Sequence, residues 1–391
     1  AAASQSNNTA TLNDQTAPTV SSVTSSTTDG TYKSGDEIAV TVTFSESVTV
    51  TGTPQLTLET GSSDAVVDYS SGSGGATLTF TYTVSSGETS SDLDYASTSE
   101  LALNSGTIND AAGNAATLTL PTVGGTSSLG GSKGLVIDAS APSAFTTGTV
   151  TTTGGTVTSG YWNSTNTGLS VSVPIDNDAS LTDGTVQLKG KTGSNSYADL
   201  GSAVTITSSD LDGTISATAT AAQFEALTGF ADAAADTITA VITDKAGNIT
   251  TGTVSATVLT IDQTLPTITS TTPSTDVYVN HAKVSYTLSE AIASGTITWT
   301  RTGGTEDSNS PHTKSLTGDE LNSGAHTDIA LTNNPTLVDA AIYTVSFDAV
   351  DLAGNSSTTV SATGVTYDVT KPTITPPSEG SSTEDLDYQN V

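Results

Sequence analysis

Ile38-Ala39-Val40-Thr41-Val42-Thr43-Phe44 is a run in which large apolar residues alternate with alanine or threonine. The same alternation recurs at residues 76–82, 237–242 and 342–347. Because successive side chains of a strand point to opposite faces of its sheet, this pattern predicts strands with one face in a core and one in water. Asp-Gly and Gly-Gly pairs punctuate the runs and predict turns. The sequence therefore predicts an all-β chain of short antiparallel strands, with a single short helical turn at 223–230.

Two short motifs repeat along the chain and divide it into modules. Asp-x-Ser/Thr-x-Pro begins at Asp14, Asp138, Asp262 and Asp368. Asp-x-Ala-Gly-Asn occurs once between successive copies, at 110–114, 244–248 and 351–355. The repeated order predicts module 1 at 17–139, module 2 at 140–263 and module 3 at 264–370. Residues 1–16 are then an N-terminal arm or the end of a preceding module, and residues 371–391 a C-terminal stub or the start of a further module. Proline after each short junction favours an elongated rod.

The composition excludes several classes of function. The 391 residues include 40 acidic and 9 basic ones, for a formal net charge of −31. Such a surface repels nucleic acid and anionic membranes, and no apolar run is long enough for membrane insertion. Absence of cysteine excludes disulfides and thiolate metal sites. An acidic, cysteine-free chain rich in Thr, Ser and Gly is common among exported bacterial surface proteins, which predicts an extracellular or cell-surface location.

The chain resembles the bacterial Ig-like repeat modules of large surface adhesins and surface-layer proteins. The resemblance rests on Gly-Thr-Tyr-Lys-Ser-Gly-Asp at 30–36, Val-Thr-Phe-Ser-Glu at 42–46 and the two repeated motifs, and it covers nearly all of residues 17–370. It implies tandem Ig-like antiparallel β-sandwich modules that form a stalk, with Ca²⁺ near module junctions. Module 2 departs from the pattern, because Pro-Ile-Asp-Asn-Asp at 174–178 stands where modules 1 and 3 have Ser45-Glu46 and Ser289-Glu290.

Strand direction in a sandwich brings three acidic elements to the N-terminal end of each module. These are the junction aspartate, an acid after the second strand, and the aspartate of the Asp-x-Ala-Gly-Asn turn. Carboxylates in a water-exposed crevice suit Ca²⁺ better than Mg²⁺, which keeps more of its waters. The predicted ligands are Asp14, Glu46 and Asp110; Asp138, Asp176, Asp178 and Asp244; and Asp262, Glu290 and Asp351. The acid-rich loop of module 2 is the first candidate. The alternative is that these residues only cap turns and accept hydrogen bonds from nearby backbone N–H groups.

Catalytic patterns are not evident, and the sequence predicts that the chain is not an enzyme. The three histidines, His281, His312 and His326, all lie in module 3, without a nucleophile elbow or a His-x-x-x-His pair. We expect them on the surface or in loops. Trp162 and Trp299 are expected in the core rather than in a sugar-binding cleft.

These patterns favour a structural stalk or building block of a bacterial adhesin, surface layer or extracellular filament. Its partners would be neighbouring modules of a longer chain or other copies of itself. In one variant, an end segment adds a strand to a neighbouring subunit. The alternative function is an adhesion module that binds a glycan or a protein receptor through loops at one end.

Overall fold

The structure is a computed structural model that describes residues 14–330 and 336–375. Most of the N-terminal arm and of the C-terminal stub, residues 1–13 and 376–391, lies outside the described residues. Contacts divide the chain into two compact units. The first comprises residues 1–153 and 167–260, and the second comprises residues 154–166 and 261–391.

Nearly all the regular secondary structure of the described residues is β-strand. In chain order the strands are β1 (Val20–Ser25), β2 (Gly30–Tyr32), β3 (Glu37–Phe44), β4 (Thr49–Thr51), β5 (Gln55–Leu58), β6 (Ala65–Ser71), β7 (Thr77–Thr83), β8 (Thr89–Ser90), β9 (Leu101–Ala102), β10 (Thr107–Asn109), β11 (Leu135–Asp138), β12 (Val150–Thr153), β13 (Tyr161–Asn163), β14 (Gly168–Ile175), β15 (Thr185–Thr192), β16 (Ala198–Thr205), β17 (Gly213–Thr220), β18 (Ala235–Thr243), β19 (Ile249–Thr251), β20 (Leu259–Asp262), β21 (Ile268–Thr272), β22 (Tyr278–Val279), β23 (Val284–Leu288), β24 (Ile292–Gly304), β25 (His312–Ser315), β26 (Gly324–Ile329), β27 (Ala341–Asp351) and β28 (Val360–Tyr367).

Helical structure in the described residues is short. Helices α1 (Leu129–Ser132) and α2 (Ala221–Phe224) span one turn each, and 3₁₀ turns lie at Ala179–Leu181 and Gly318–Leu321. Helix α2 begins earlier than the sequence predicts, because Thr220 and Gln223 form a reciprocal capping box at its start. No helix in the described parts of the chain combines the length and apolar character needed to cross a membrane.

The first unit begins with a sandwich built from β1 to β11. Its main sheet has the order β1-β3-β7-β6-β5-β9, opposite smaller sheets of order β2-β11-β8 and β10-β4. Strand β3 buries alternate residues, as its sequence predicts, so that Ile38, Val40, Val42 and Phe44 all lie in the core. The last strand, β11, pairs parallel to β2, which brings the end of the sandwich beside the loop that follows Tyr32.

The first unit also holds the sheets of module 2. One sheet has the order β12-β14-β17, and the other contains β20-β18-β15-β16 with β19 beside β18. Strands β18 and β19 form a hairpin through the pair Thr243 and Ile249. The Asp-x-Ala-Gly-Asn turn of this module is therefore a hairpin turn, as the sequence predicts.

The second unit contains the sandwich of module 3. One sheet has the order β21-β23-β26 and the other the order β22-β28-β27-β24-β25. Trp299 on β24 is fully buried and packs edge-on against Tyr343 of β27. Trp162, in the segment 154–166 of this unit, is fully buried too, so both tryptophans occupy the core as expected. The fold is thus all-β, with tandem Ig-like sandwich modules.

The surface position expected for His312 is wrong. Its side chain is only 12% exposed, and its Nε2 lies 2.7 Å from Oδ2 of Asp307. The Tyr343 hydroxyl donates to the same carboxylate oxygen at 2.7 Å. A buried carboxylate needs such partners, and they explain why this histidine sits inside the module. His281 is exposed, and His326 is partly buried with its ring stacked on Tyr286.

One buried carboxylate in the first unit has few hydrogen bonds to offset the free-energy cost of its burial. Asp236 on β18 is fully buried, and no hydrogen bond of normal geometry reaches either carboxylate oxygen. Thr192 is its partner across β15 and β18. Burial raises the pKa of Asp236, and the Thr192 hydroxyl offsets only part of that increase.

Replacing Asp236 with asparagine should therefore stabilise the first unit at pH 7 by about 1–3 kcal/mol. A carboxyl whose pKa is raised by folding opposes folding above the unfolded pKa, and this penalty disappears where the group is protonated in both states. Urea unfolding of D236N and wild type at pH 7 and at about pH 3.5 checks this, with exposed Asp232→Asn as the control. The same change in unfolding free energy at both pH values would contradict the prediction.

Candidate metal centres at the module junctions

The three Asp-x-Ala-Gly-Asn turns have the same local structure. In each, the aspartate N–H donates to the asparagine carbonyl at 3.0 Å, which closes the hairpin. The glycines have φ between +90° and +95°, a conformation that residues with a Cβ rarely adopt. This requirement explains the fixed glycine of the motif.

The asparagine of each turn connects the turn to the preceding junction. Its backbone N–H and its Nδ2 donate to the two carboxylate oxygens of the turn aspartate, at 2.7–2.9 Å. The same Nδ2 donates to the carbonyl oxygen of the junction aspartate, at 2.8–3.0 Å. We call this arrangement the junction clamp. Its members are Asp110, Asn114 and Asp14; Asp244, Asn248 and Asp138; and Asp351, Asn355 and Asp262.

The clamp brings acidic groups together in modules 1 and 3. One oxygen each of Asp14, Glu46 and Asp110 lies within 4.8 Å of the others, and the same holds for Asp262, Glu290 and Asp351. Oxygens bound to one Ca²⁺ at about 2.3–2.6 Å lie no farther apart than about twice that distance. Both sets therefore have spacing that a single cation could bridge.

Serine residues position the glutamates of these two sets. Ser45 follows strand β3, and its Oγ accepts a hydrogen bond from the Thr19 N–H at 3.0 Å. Ser289 does the same for Thr267 at 2.9 Å. Each serine thus connects the end of β3 or β23 to the start of β1 or β21, directly beside the glutamate that follows the serine.

Module 2 does not gather its four predicted ligands within the same distance. Asp138 and Asp178 line one groove, whereas Asp176 lines a different cavity with Asp212. The Asp178 carboxylate also caps the 3₁₀ turn by accepting from the Ser180 N–H at 2.9 Å. Because residues 174–178 replace the Ser-Glu pair, this module lacks the connecting serine, and its acids spread over two surfaces.

The pKa values at the junctions follow these contacts. Burial, and then the charges of Asp244 and Asp178, raise the pKa of Asp138, although the Ser140 N–H acts in the opposite direction. For Asp110, burial is outweighed by hydrogen bonds from Asn114 and from the turn backbone, so its pKa is lowered. The turn aspartate of module 1 is therefore held as a carboxylate.

The junction aspartates also have the capping role that the sequence left as the alternative. Asp14, Asp138 and Asp368 each accept a hydrogen bond from the N–H two residues later, at 2.9, 3.2 and 3.0 Å. This Asx turn uses one carboxylate oxygen. Capping and cation binding are compatible, because a carboxylate has a second oxygen.

A further contact on each buried turn was not anticipated from the sequence. In the first unit, Lys33 Nζ donates to the carbonyl of Gly247 at 3.0 Å. In the second unit, Asn163 Nδ2 donates to the carbonyl of Ala353 at 2.7 Å, and Ser164 bonds Asn355 Oδ1. Lys33 lies in the 30–36 motif. Residues 155–160 of the other segment repeat its Gly-Thr-x-x-Ser-Gly pattern, and this repeat was the signal that could have indicated the second contact.

Comparisons with known proteins define a likeness of architecture only. No family model matches the chain, and no curated protein matches it. Among solved structures, the FN1–FN3 domains of chicken CNTN1 are 12% identical, cover 90% of this chain and 100% of that chain, and give a TM-score of 0.28. The titin I-band fragment I67–I69 is 8% identical, covers 91% and 100%, and gives a TM-score of 0.35. These superpositions are loose, so the fold assignment rests on the sheets described above.

Proposed function

We propose that the chain is a non-enzymatic structural building block of a bacterial adhesin, surface layer or extracellular filament, displayed outside the cell. Its modules would be joined end to end, and Ca²⁺ would stiffen their junctions. The observation that carries the proposal is the junction clamp, which is repeated three times with the same hydrogen bonds. A device repeated at three junctions serves the connection between modules rather than a reaction.

The electrostatics of the clusters support the metal. Three carboxylates so close together repel each other by a few kcal/mol at an effective dielectric of about 20. The chain has only 9 basic residues against 40 acidic ones to offset this repulsion. A divalent cation would remove the repulsion and connect junction, second strand and turn. Substitutions of Glu46 and Glu290 test Ca²⁺ binding separately from the clamp, because neither residue belongs to the clamp.

We expect millimolar Ca²⁺ to raise the unfolding temperature of the chain relative to EDTA, because a ligand that binds only the folded state stabilises it. At a concentration about 100 times the dissociation constant, the gain is about 2.7 kcal/mol. Both tryptophans belong to the second unit, so their fluorescence reports the cluster of module 3. Glu290→Gln should abolish the Ca²⁺-dependent shift seen by this probe.

Glu46→Gln is the matched control, since it alters the equivalent position in the first unit. It should leave the tryptophan signal unchanged while reducing a Ca²⁺ effect seen by far-ultraviolet circular dichroism. Mg²⁺ at the same concentration should have a smaller effect. If saturating Ca²⁺ moved neither transition, the metal part of the proposal would be wrong and the clamps alone would join the modules.

A second candidate function is ligand binding through loops at one end of a module. A cavity of about 410 Å³ opens in module 2 among Phe145, Ile175, Leu181 and Ile242, with Asp176 and Asp212 also lining it. Its size falls within the usual range for small-molecule sites. This cavity lies where module 2 departs from the Ser-Glu pattern, which favours it over the other modules as a place for a glycan or a receptor side chain.

A further inference from the structure

We infer that one end of module 3, formed by residues 280–283 and 368–374, is a docking surface for a further Ig-like module that carries an Asp-x-Ala-Gly-Asn turn. We call it the module 3 docking surface. The inference rests on the proposed function, because it names the partner that a chain of tandem modules would bind.

The backbone at 368–374 already has the conformation of a junction. Asp368 makes the same Asx turn as Asp14 and Asp138, with the Thr370 N–H at 3.0 Å. Asp339 holds this turn from the module side, accepting from the Val369 N–H at 2.8 Å and from the Thr370 hydroxyl at 2.6 Å. The segment is thus presented in a fixed geometry by module 3 itself.

The Asp368 carbonyl lacks the partner that the other junctions have. The carbonyls of Asp14, Asp138 and Asp262 each accept a hydrogen bond from the asparagine of a turn. The chain contains three such turns, and each serves one of these aspartates. Among the described residues, no turn of this type is left for Asp368. A fourth turn must therefore come from another module.

The residues that follow Asp368 repeat the start of module 3. Pro-Thr-Ile-Thr occurs at 266–269 and again at 372–375. In module 3, Ile268 pairs with Leu288 across β21 and β23 and is 7% exposed. Ile374 is 91% exposed. The second strand of another sandwich would cover this side chain as β23 covers Ile268.

The loop after β22 supplies the second half of the docking surface. Tyr32 on β2 pairs with Ile137, the residue before Asp138, and Val279 on β22 pairs with Tyr367, the residue before Asp368. Asn280 therefore corresponds to Lys33, which donates to a turn carbonyl. In the second unit an asparagine, Asn163, makes this type of bond. Asn280 is exposed, and its amide can make the same bond to an incoming turn.

The three turns differ in how closely other residues pack against their glycines. A side-chain carbon added at Gly354 would lie 2.7 Å from Thr158 Oγ1, and one at Gly247 would lie 3.1 Å from Lys33 Nζ. At Gly113 no described residue would lie within 4 Å of such a carbon. The two turns that a preceding loop reaches are thus closely packed.

The test is an extended chain in which residues 266–370 are placed directly after Lys371, so that Pro-Thr-Ile-Thr is kept and a fourth turn is supplied. Amide hydrogen exchange at 280–283 and 368–374 should slow by about tenfold or more relative to the chain of 391 residues. Asn355→Ala in the added module only should reverse this protection. Asn280→Ala, an exposed substitution that leaves the sandwich intact, should reduce it.

Folding of the added module is verified by protection of its own central strands. ¹⁵N relaxation should show the added module tumbling together with module 3. Independent tumbling, or unchanged exchange at 368–374 with a folded added module, would overturn the inference. Repeating the measurement in EDTA distinguishes docking of the module from Ca²⁺ binding at the junctions, because docking through the asparagine needs no metal.

Discussion

Replacing Asn355 with alanine should destabilise the second unit by about 1.5–3 kcal/mol, because it removes a side-chain hydrogen bond to a buried charged group. Asp351 is 1% exposed, and both its carboxylate oxygens accept from Asn355. The substitution removes the side-chain bond and leaves the backbone bond. It also removes the contacts of the Asn355 amide with Asp262 and Ser164. Urea unfolding followed by tryptophan fluorescence measures this loss, because both tryptophans lie in the second unit.

Asn114→Ala provides the comparison for this result. It removes the same bonds at a half-buried position, so water can replace them and the loss should be about 1 kcal/mol. Since Asn114 belongs to the first unit, the tryptophan transition should not move. Equal small effects of both substitutions would mean that the clamp contributes no stability beyond a surface turn.

Replacing Asp307 with alanine should cost the second unit about 3 kcal/mol, because hydrogen bonds to a buried charged group contribute about 1.5–3 kcal/mol each. The carboxylate accepts from Tyr343, His312 and the Asn309 N–H at 2.7–3.0 Å. Denaturant unfolding at pH 7 checks the loss. Glu306→Ala, an exposed neighbour, is the control and should change stability by less than about 0.5 kcal/mol.

The same group makes the second unit sensitive to acid. Burial alone would raise the pKa of Asp307, but the hydrogen bonds from Tyr343 and His312 outweigh it and the pKa is lowered. A carboxylate with a lowered folded pKa stabilises the fold above its unfolded pKa, and this stabilisation is lost as the pH falls through the folded value. Wild type should therefore lose stability below about pH 4, and Asp307→Ala should lose less over that range. Parallel pH profiles would contradict this assignment.

Strand periodicity and repeats were sufficient to predict the fold. Alternation at 38–44 identifies β3 because one face of a strand must be buried while the other meets water. The repeated motifs mark the hairpin turns because a positive φ at their glycines constrains the sequence. Such constraints are local, and they can be read from neighbouring residues.

Side-chain contacts between distant residues were predictable only where a motif marked both partners. The acids of modules 1 and 3 converge because each belongs to a repeated element, and the structure places them within 4.8 Å; whether they bind Ca²⁺ stays a prediction. The bond between Asn163 and Ala353 joins residues 190 positions apart, and Asn163 lies just outside the Gly-Thr-x-x-Ser-Gly repeat at 155–160, so no motif marks it directly. His312 was misplaced for the same reason, since its partner Asp307 has no periodic signature.

The asparagine of each clamp contacts a backbone carbonyl of the preceding junction, which every amino acid possesses. The recognition is therefore indifferent to most side chains of the segment being recognised. Copies of such a unit can be duplicated, deleted or reordered within a gene without redesign of the surfaces where they meet. An array built this way can change in length over evolutionary time while each of its joints stays functional.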